Sequence, residues 1–151
     1  MSEMREILFK AKRKDNGEWI EGLTLFKLDE HLYMFQTAWG KITYDLQHNI
    51  TAILGGKKPF LVEVMPETVG RYTGLTDKNG VKIFEGDIVE YFAEYSSIYS
   101  RTEKATVHWS DSIGAFRVRN RLGTDYILST FNEVKVTGNI HDNPELLKEV
   151  S

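Results

Sequence analysis

The dipeptide Asn-Gly occurs twice in this sequence, at Asn16-Gly17 and at Asn79-Gly80, each time between short runs of strand-forming residues. Both residues tolerate the positive φ that a tight hairpin loop requires, which makes the pair the strongest short-range hairpin signal. Before the first pair, Ile7, Phe9 and Ala11 alternate with Leu8, Lys10 and Lys12, and Glu18-Trp19-Ile20-Glu21 forms the returning run. Around the second, Tyr72 to Thr76 leads into Asp77-Lys78-Asn79-Gly80, followed by Val81-Lys82-Ile83-Phe84, Glu85-Gly86-Asp87 and Ile88-Val89-Glu90-Tyr91-Phe92. A period of two puts alternate side chains on opposite faces, so both places predict antiparallel strands with one buried face.

The rest of the chain keeps the same rhythm. Residues 23–64 contain β-leaning runs at Leu23–Leu28, His31–Gln36, Lys41–Asp45 and Phe60–Val64, with Gly55-Gly56-Lys57-Lys58-Pro59 as a candidate loop. Pro66-Glu67-Thr68-Val69 suits a single helical turn, with proline at its start and an acid near the positive end of the dipole. Later, Ala105-Val107-Trp109, Phe116-Val118, Tyr126-Leu128 and Val134-Val136 mark short strands divided by turn residues. Asn143 before Pro144 and Glu145 predicts a short terminal helix to about Val150. The expected fold class is mainly β, a β-rich α+β arrangement. An antiparallel N-terminal lobe over residues 1–70 joins a part over 71–151 that holds the second hairpin, a small SH3-like or pseudo-barrel and the terminal helix, both in one body.

Tyr72-Thr73-Gly74-Leu75, Asp77-Lys78-Asn79-Gly80 and Ile83-Phe84-Glu85-Gly86-Asp87-Ile88-Val89 resemble the YopX family of phage and prophage proteins. The lead-in Pro66-Glu67-Thr68-Val69-Gly70 and the ending Gly138-Asn139-Ile140-His141-Asp142-Asn143-Pro144-Glu145-Leu146-Leu147 are similar to that family too. His141 and Asp142 stand where the family commonly has an aromatic residue and Glu. The resemblance implies a mainly β protein of mobile-element origin and brings no catalytic residues with it. The distinctive residues Tyr72, Gly74, Asp77, Asn79, Gly80, Gly86 and Asp87 are read as structural: glycines for turn conformations, and Asp87 as an acceptor for the turn that it closes.

Composition narrows the chemistry. The 151 residues include no cysteine, which excludes disulfides, Cys-ligated metals and thiol nucleophiles, and the net charge of −3 offers no global attraction to nucleic acid. Residues 1–6 lack the apolar core of a signal peptide, and no stretch approaches the ~20 apolar residues of a membrane span, so a cytoplasmic protein is expected. Asp77-Lys78-Asn79-Gly80 looks like part of a calcium loop, but Gly80 at loop position six would put Leu75 and Gly86 at the two anchor positions, which need carboxylates. His31, His48, His108 and His141 lack metal-ligand spacing. Serine-nucleophile, phosphate-loop and dinucleotide signatures are absent, and no cofactor or metal is expected.

Three surfaces remain as candidates. If Phe116 and Val118 face the core, Arg117, Arg119 and Arg121 line the opposite face, with His108 beside them if the two strands pair. Lys10, Lys12 and Lys14 form a similar row, and such stripes suit either a nucleic-acid backbone or a soluble sheet face. Tyr91, Tyr95 and Tyr99 lie in an aromatic run that suits a hairpin arm anchoring a partner subunit. Glu85 and Asp87 are the carboxylates that a small metal-dependent or acid/base hydrolase would use. The leading expectation is a non-enzymatic binding or assembly module with a protein partner or itself; single-stranded nucleic acid on the arginine face and the hydrolase follow.

Overall fold

The computed structural model describes residues 6–22, 24–35, 41–44, 50–54 and 61–148. The chain divides into two compact units, one over Ile7–Val69 and the other over Gly70–Ser151 together with Met1–Glu6.

In the Ile7–Val69 unit, β1 (Phe9–Lys12) and β2 (Trp19–Gly22) form the first hairpin, with Ala11 opposite Ile20 and Lys12 opposite Trp19. Gly17 takes φ 74°, and the Asn16 Oδ1 accepts the Glu18 amide at 2.9 Å, which is the turn chemistry Asn-Gly supplies. Strands β3 (Thr24–Leu28) and β4 (His31–Phe35) form a second hairpin. β5 (Lys41–Tyr44) pairs with β6 (Ile50–Leu54), and β7 (Leu61–Glu63) adds to β4. Ala11, Ile20, Met34, Val62 and Val64 make the core of this unit. Pro66–Thr68 forms a 3-10 turn, and the candidate loop at 55–59 lies outside the described residues.

The second unit opens with β8 (Gly70–Thr76) and β9 (Lys82–Phe84), the second Asn-Gly hairpin. Five more strands follow: β10 (Asp87–Glu94), β11 (Ser100–Ser110), β12 (Ala115–Asn120), β13 (Asp125–Ile127) and β14 (Val134–Asn139). They form one antiparallel sheet in the order β13-β12-β11-β10-β14. Val89, Tyr91, Ala105, Val107, Phe116, Val118 and Val134 project from one face and pack with Ile83 and Leu128, the alternation expected of a half-buried sheet. A register shift between Ile88 and Val89 lets two successive apolar residues both be buried.

The strand rhythm predicts a barrel, but the described strands leave the sheet open, with β13 and β14 at its two ends. The physical reason lies at both ends. β13 is three residues long and passes into a 3-10 turn, Leu128–Thr130, that drops Leu128 into the core. The outer edge of β14 is already occupied: the Val134 carbonyl accepts the Lys78 amide at 2.9 Å, and the Val136 amide donates to Asp77 Oδ2 at 2.9 Å.

The terminal helix is also tighter than expected. Pro144–Lys148 is 3-10, with the Leu146 amide donating to the Asn143 carbonyl at 3.1 Å. Asn143 Oδ1 accepts the Asn139 amide at 3.3 Å, so that side chain reaches back to β14.

Candidate functional site

The stretch with the strongest sequence pattern is held together by its glycines and by carboxylates that accept backbone amides. Gly74, Gly80 and Gly86 all have φ between 81° and 87°. Asp77 is buried, and its carboxylate accepts the amides of Asn79 at 2.8 Å, Val81 at 2.9 Å and Val136 at 2.9 Å. Burial works to raise its pKa, but the three N–H donors outweigh that, and the carboxyl lies below its ordinary value. Tyr72 packs on Phe84, with ring centroids 5.5 Å apart. Asp87 is buried and accepts the Phe84 amide at 2.8 Å, closing the Glu85-Gly86 turn.

The two carboxylates offered for hydrolysis are engaged in different ways. Glu85 forms a bidentate pair with Arg71, at 2.7 Å to Nε and 3.1 Å to Nη2, and accepts the Arg71 amide at 2.8 Å. Arg71 in turn lies over Trp109, 5.0 Å from its centroid. Glu85 thus joins β8 to the turn before β10, while Asp87 serves the backbone of β9. Among the described residues no group of three or more His, Cys, Asp or Glu side chains is arranged to hold a metal ion.

The arginine face is assembled by strand pairing. His108 on β11 stands directly opposite Arg117 on β12, Thr106 opposite Arg119, and Arg119 opposite Asp125 on β13. Asp125 is the centre of this cluster: Arg119 donates from Nε at 2.8 Å and Nη2 at 2.9 Å. Arg117 Nη1 lies 3.6 Å away, and His108 Nε2 3.4 Å. The Arg119 hydrogen bonds hold the Asp125 carboxyl down to about 2, against a smaller opposing effect of burial. Arg121 leans the other way, 3.7 Å from Glu103, which Arg101 approaches at 3.0 Å. The row is therefore interleaved with carboxylates that no strand pattern revealed, because Asp125 belongs to a different strand and Glu103 points to the core side of β11.

The aromatic run splits by function. The β10–β11 hairpin continues through Phe92–Thr102, Ala93–Arg101 and Glu94–Ser100, beyond the last pairs that its neighbours β14 and β12 make. That overhang is the arm. Tyr91 lies below it and is 4% exposed, stacked at 4.6 Å on Phe131 and taking a hydrogen bond from Asn120 Nδ2 at 3.3 Å. Tyr91, expected on an interface, is a core residue, because the arm begins one position after it. Phe92 is 60% exposed and Ile98 95%, and the exposed rings of Tyr95 and Tyr99 lie 5.5 Å apart. Tyr95 donates its hydroxyl to Glu103 at 2.7 Å, and this bond, with burial second, pushes the phenol up to about 12.

The first-strand lysines are also engaged: Lys10 and Lys12 lie over the Trp19 ring at 4.9 and 5.5 Å, and Lys14 pairs with Glu63 at 3.0 Å.

Comparison with known families gives a match to the family described as YopX protein over residues 8–148. The chain belongs to the YopX protein family. As a YopX protein it also resembles a solved structure, described as the crystal structure of protein EF1440 from Enterococcus faecalis. The two share 26% identity and a TM-score of 0.56, over 93% of this chain and 97% of that one. No curated protein matched. The match covers both units, so the YopX resemblance read from Tyr72–Val89 and from the ending extends over nearly the whole chain.

Those family-like segments converge in space. Asp87 pairs with Asn139 and Ile88 with Gly138, and the Ile140 amide donates to the Gly86 carbonyl at 2.9 Å. Asn139 Oδ1 accepts the amides of His141 at 3.0 Å and Asp142 at 2.9 Å, folding the ending into a compact turn. A Cβ on Gly138 would come 2.5 Å from Asn143 Oδ1, so any larger residue there displaces the Asn143 side chain. In this region the YopX-like residues hydrogen-bond and pack against one another, while the arm carries exposed side chains.

Proposed function

We propose that this YopX protein is a non-enzymatic binding or assembly module of phage or prophage origin, and that it works through the β10–β11 arm. The observation that carries this reading is the exposure of Phe92, Tyr95, Ile98 and Tyr99 along the overhanging end of the β10–β11 hairpin, with the Tyr95 and Tyr99 rings 5.5 Å apart. Large apolar side chains gathered at one place mark an interaction surface, whereas scattered ones do not.

The arm is ordered before any partner arrives. The Tyr95 and Ser96 amides donate to the Tyr99 carbonyl at 2.9 and 3.1 Å, and Ser96 Oγ accepts the Ile98 and Tyr99 amides at 3.3 and 3.0 Å. Glu103 fixes the Tyr95 hydroxyl. A preordered aromatic surface loses little conformational freedom on docking, which favours affinity. The absence of cysteine fits action in a reducing cytoplasm. The partnered state of Glu85 and Asp87 supports the non-enzymatic reading, and the carboxylates among the arginines weigh against capture of a nucleic-acid strand.

The partner to test first is a second copy of the chain. Light scattering over a wide concentration range should show a concentration-dependent oligomer that an Ile98→Ser, Tyr99→Ser double variant loses while keeping its circular dichroism. A wild-type chain that stays monomeric throughout contradicts self-assembly, and an oligomer unchanged by the double variant removes the arm from it.

A further inference from the structure

A cavity of about 280 Å³ opens on the outer face of β11–β12, lined by Thr106, His108, Arg119, Asn120, Arg121 and Leu147. The sheet forms its floor, and Leu147, from the 3-10 segment Pro144–Lys148, supplies an apolar wall. None of the lining side chains carries a negative charge. Asp125, bound by Arg119, is not a wall of the cavity, nor are Glu145 and Lys148 of the terminal segment.

We propose that this cavity binds an oxyanion, a phosphate or a carboxylate, carried on a small molecule. The first argument is charge. The two charged side chains that line it, Arg119 and Arg121, are both guanidiniums, and no carboxylate is a wall of the cavity. The second is donor capacity. A guanidinium has five N–H donors, and Asp125 takes two of those on Arg119. The Arg117 and Arg121 contacts with their carboxylates, at 3.6 and 3.7 Å, are longer than hydrogen bonds.

The third is His108. Its Nε2 is buried and has no hydrogen-bond partner among the described residues; Asp125 lies 3.4 Å away without hydrogen-bond geometry. A buried polar atom without a partner costs free energy, and an acceptor seated beside it offsets that cost when Nε2 carries the proton. Thr106, paired across the strands with Arg119, adds a hydroxyl to the same wall.

Size selects the carrier. Pockets for drug-sized ligands run from roughly 300 to 1,000 Å³, so this one suits a single charged group with a small body against Leu147 and the arginine stems. The site is separate from the arm and does not depend on the assembly reading.

The test is amide-shift titration of the full chain by NMR, with inorganic phosphate, acetate and adenosine monophosphate as probes. Saturable shifts centred on Thr106, His108, Arg119 and Arg121 are expected, with either phosphate or acetate the stronger, which identifies the group. Arg121→Gln should weaken the stronger probe by about tenfold or more, the loss of a charge-assisted hydrogen bond. Leu147→Trp, which leaves every charge in place, should block the nucleotide. An unchanged spectrum away from the cavity shows that each variant folds. The proposal is overturned if no probe saturates, if Arg121→Gln binds as the wild type does, or if a single-stranded oligonucleotide binds this face where the small anions do not.

Discussion

The Asp77 side chain joins two elements of the Gly70–Ser151 unit. Its two carboxylate oxygens tie the Asn79-Gly80 turn to β14, through a bond to Val136 that spans 59 residues of sequence. Removing the carboxylate would strand three amides that now have an acceptor, and each buried orphan costs roughly 1–3 kcal/mol. Asp77→Ala is therefore expected to destabilise the protein by at least about 2 kcal/mol in urea unfolding, with Asp77→Asn intermediate because its amide oxygen still accepts. A loss below about 0.5 kcal/mol for the alanine variant, the range of an ordinary surface substitution, would show that the local turn forms without Asp77. From sequence, Asp77 belongs to its turn and no further. The local bonds to Asn79 and Val81 follow from Asp-x-Asn-Gly chemistry, whereas the bond to Val136 depends on where β14 lies, which no short-range pattern encodes.

At the scale of elements, both Asn-Gly hairpins were legible because the turn chemistry is local, with Gly17 and Gly80 taking φ 74° and 81°. The alternation of Phe116 and Val118 with Arg117 and Arg119 correctly divided β12 into a core face and an outer face. The open edge of the sheet and the carboxylates that meet the arginine row were not legible, since they depend on which strand ends beside which. Asp125 is the clearest case: three residues of β13 suffice to bring it against Arg117, Arg119 and His108. Its carboxyl is lowered from an ordinary 3.8 to about 2, so its contribution is fully present above about pH 4 and disappears as pH falls through about 2. Urea midpoints measured from pH 5 down to pH 2 should fall more steeply for the wild type than for Asp125→Asn, the two curves meeting at the acid end. Parallel curves would mean that the β12–β13 pairing does not depend on this charge.

Across the whole molecule, the YopX match covers both units, yet within Gly70–Ser151 the two best-patterned segments act as one object. Tyr72–Val89 supplies the second hairpin and the turn into β10, and Gly138–Leu147 closes over that turn through Asn139, Ile140 and Gly138. Two truncations separate the roles of the ending. A chain stopped after Glu133 loses β14, which exposes the backbone edge of β10 and removes the partner of Asp77, so it should lose its near-ultraviolet circular dichroism and aggregate. A chain stopped after Asn143 keeps β14 and the Asn139 turn and loses the Leu147 wall. It should retain its dichroism and its arm-dependent association while binding small anions more weakly. If both truncations unfold alike, the 3-10 segment is part of the scaffold; if both stay folded, the strand pairing of β14 contributes little, and the edge of β10 is protected by something other than the YopX ending.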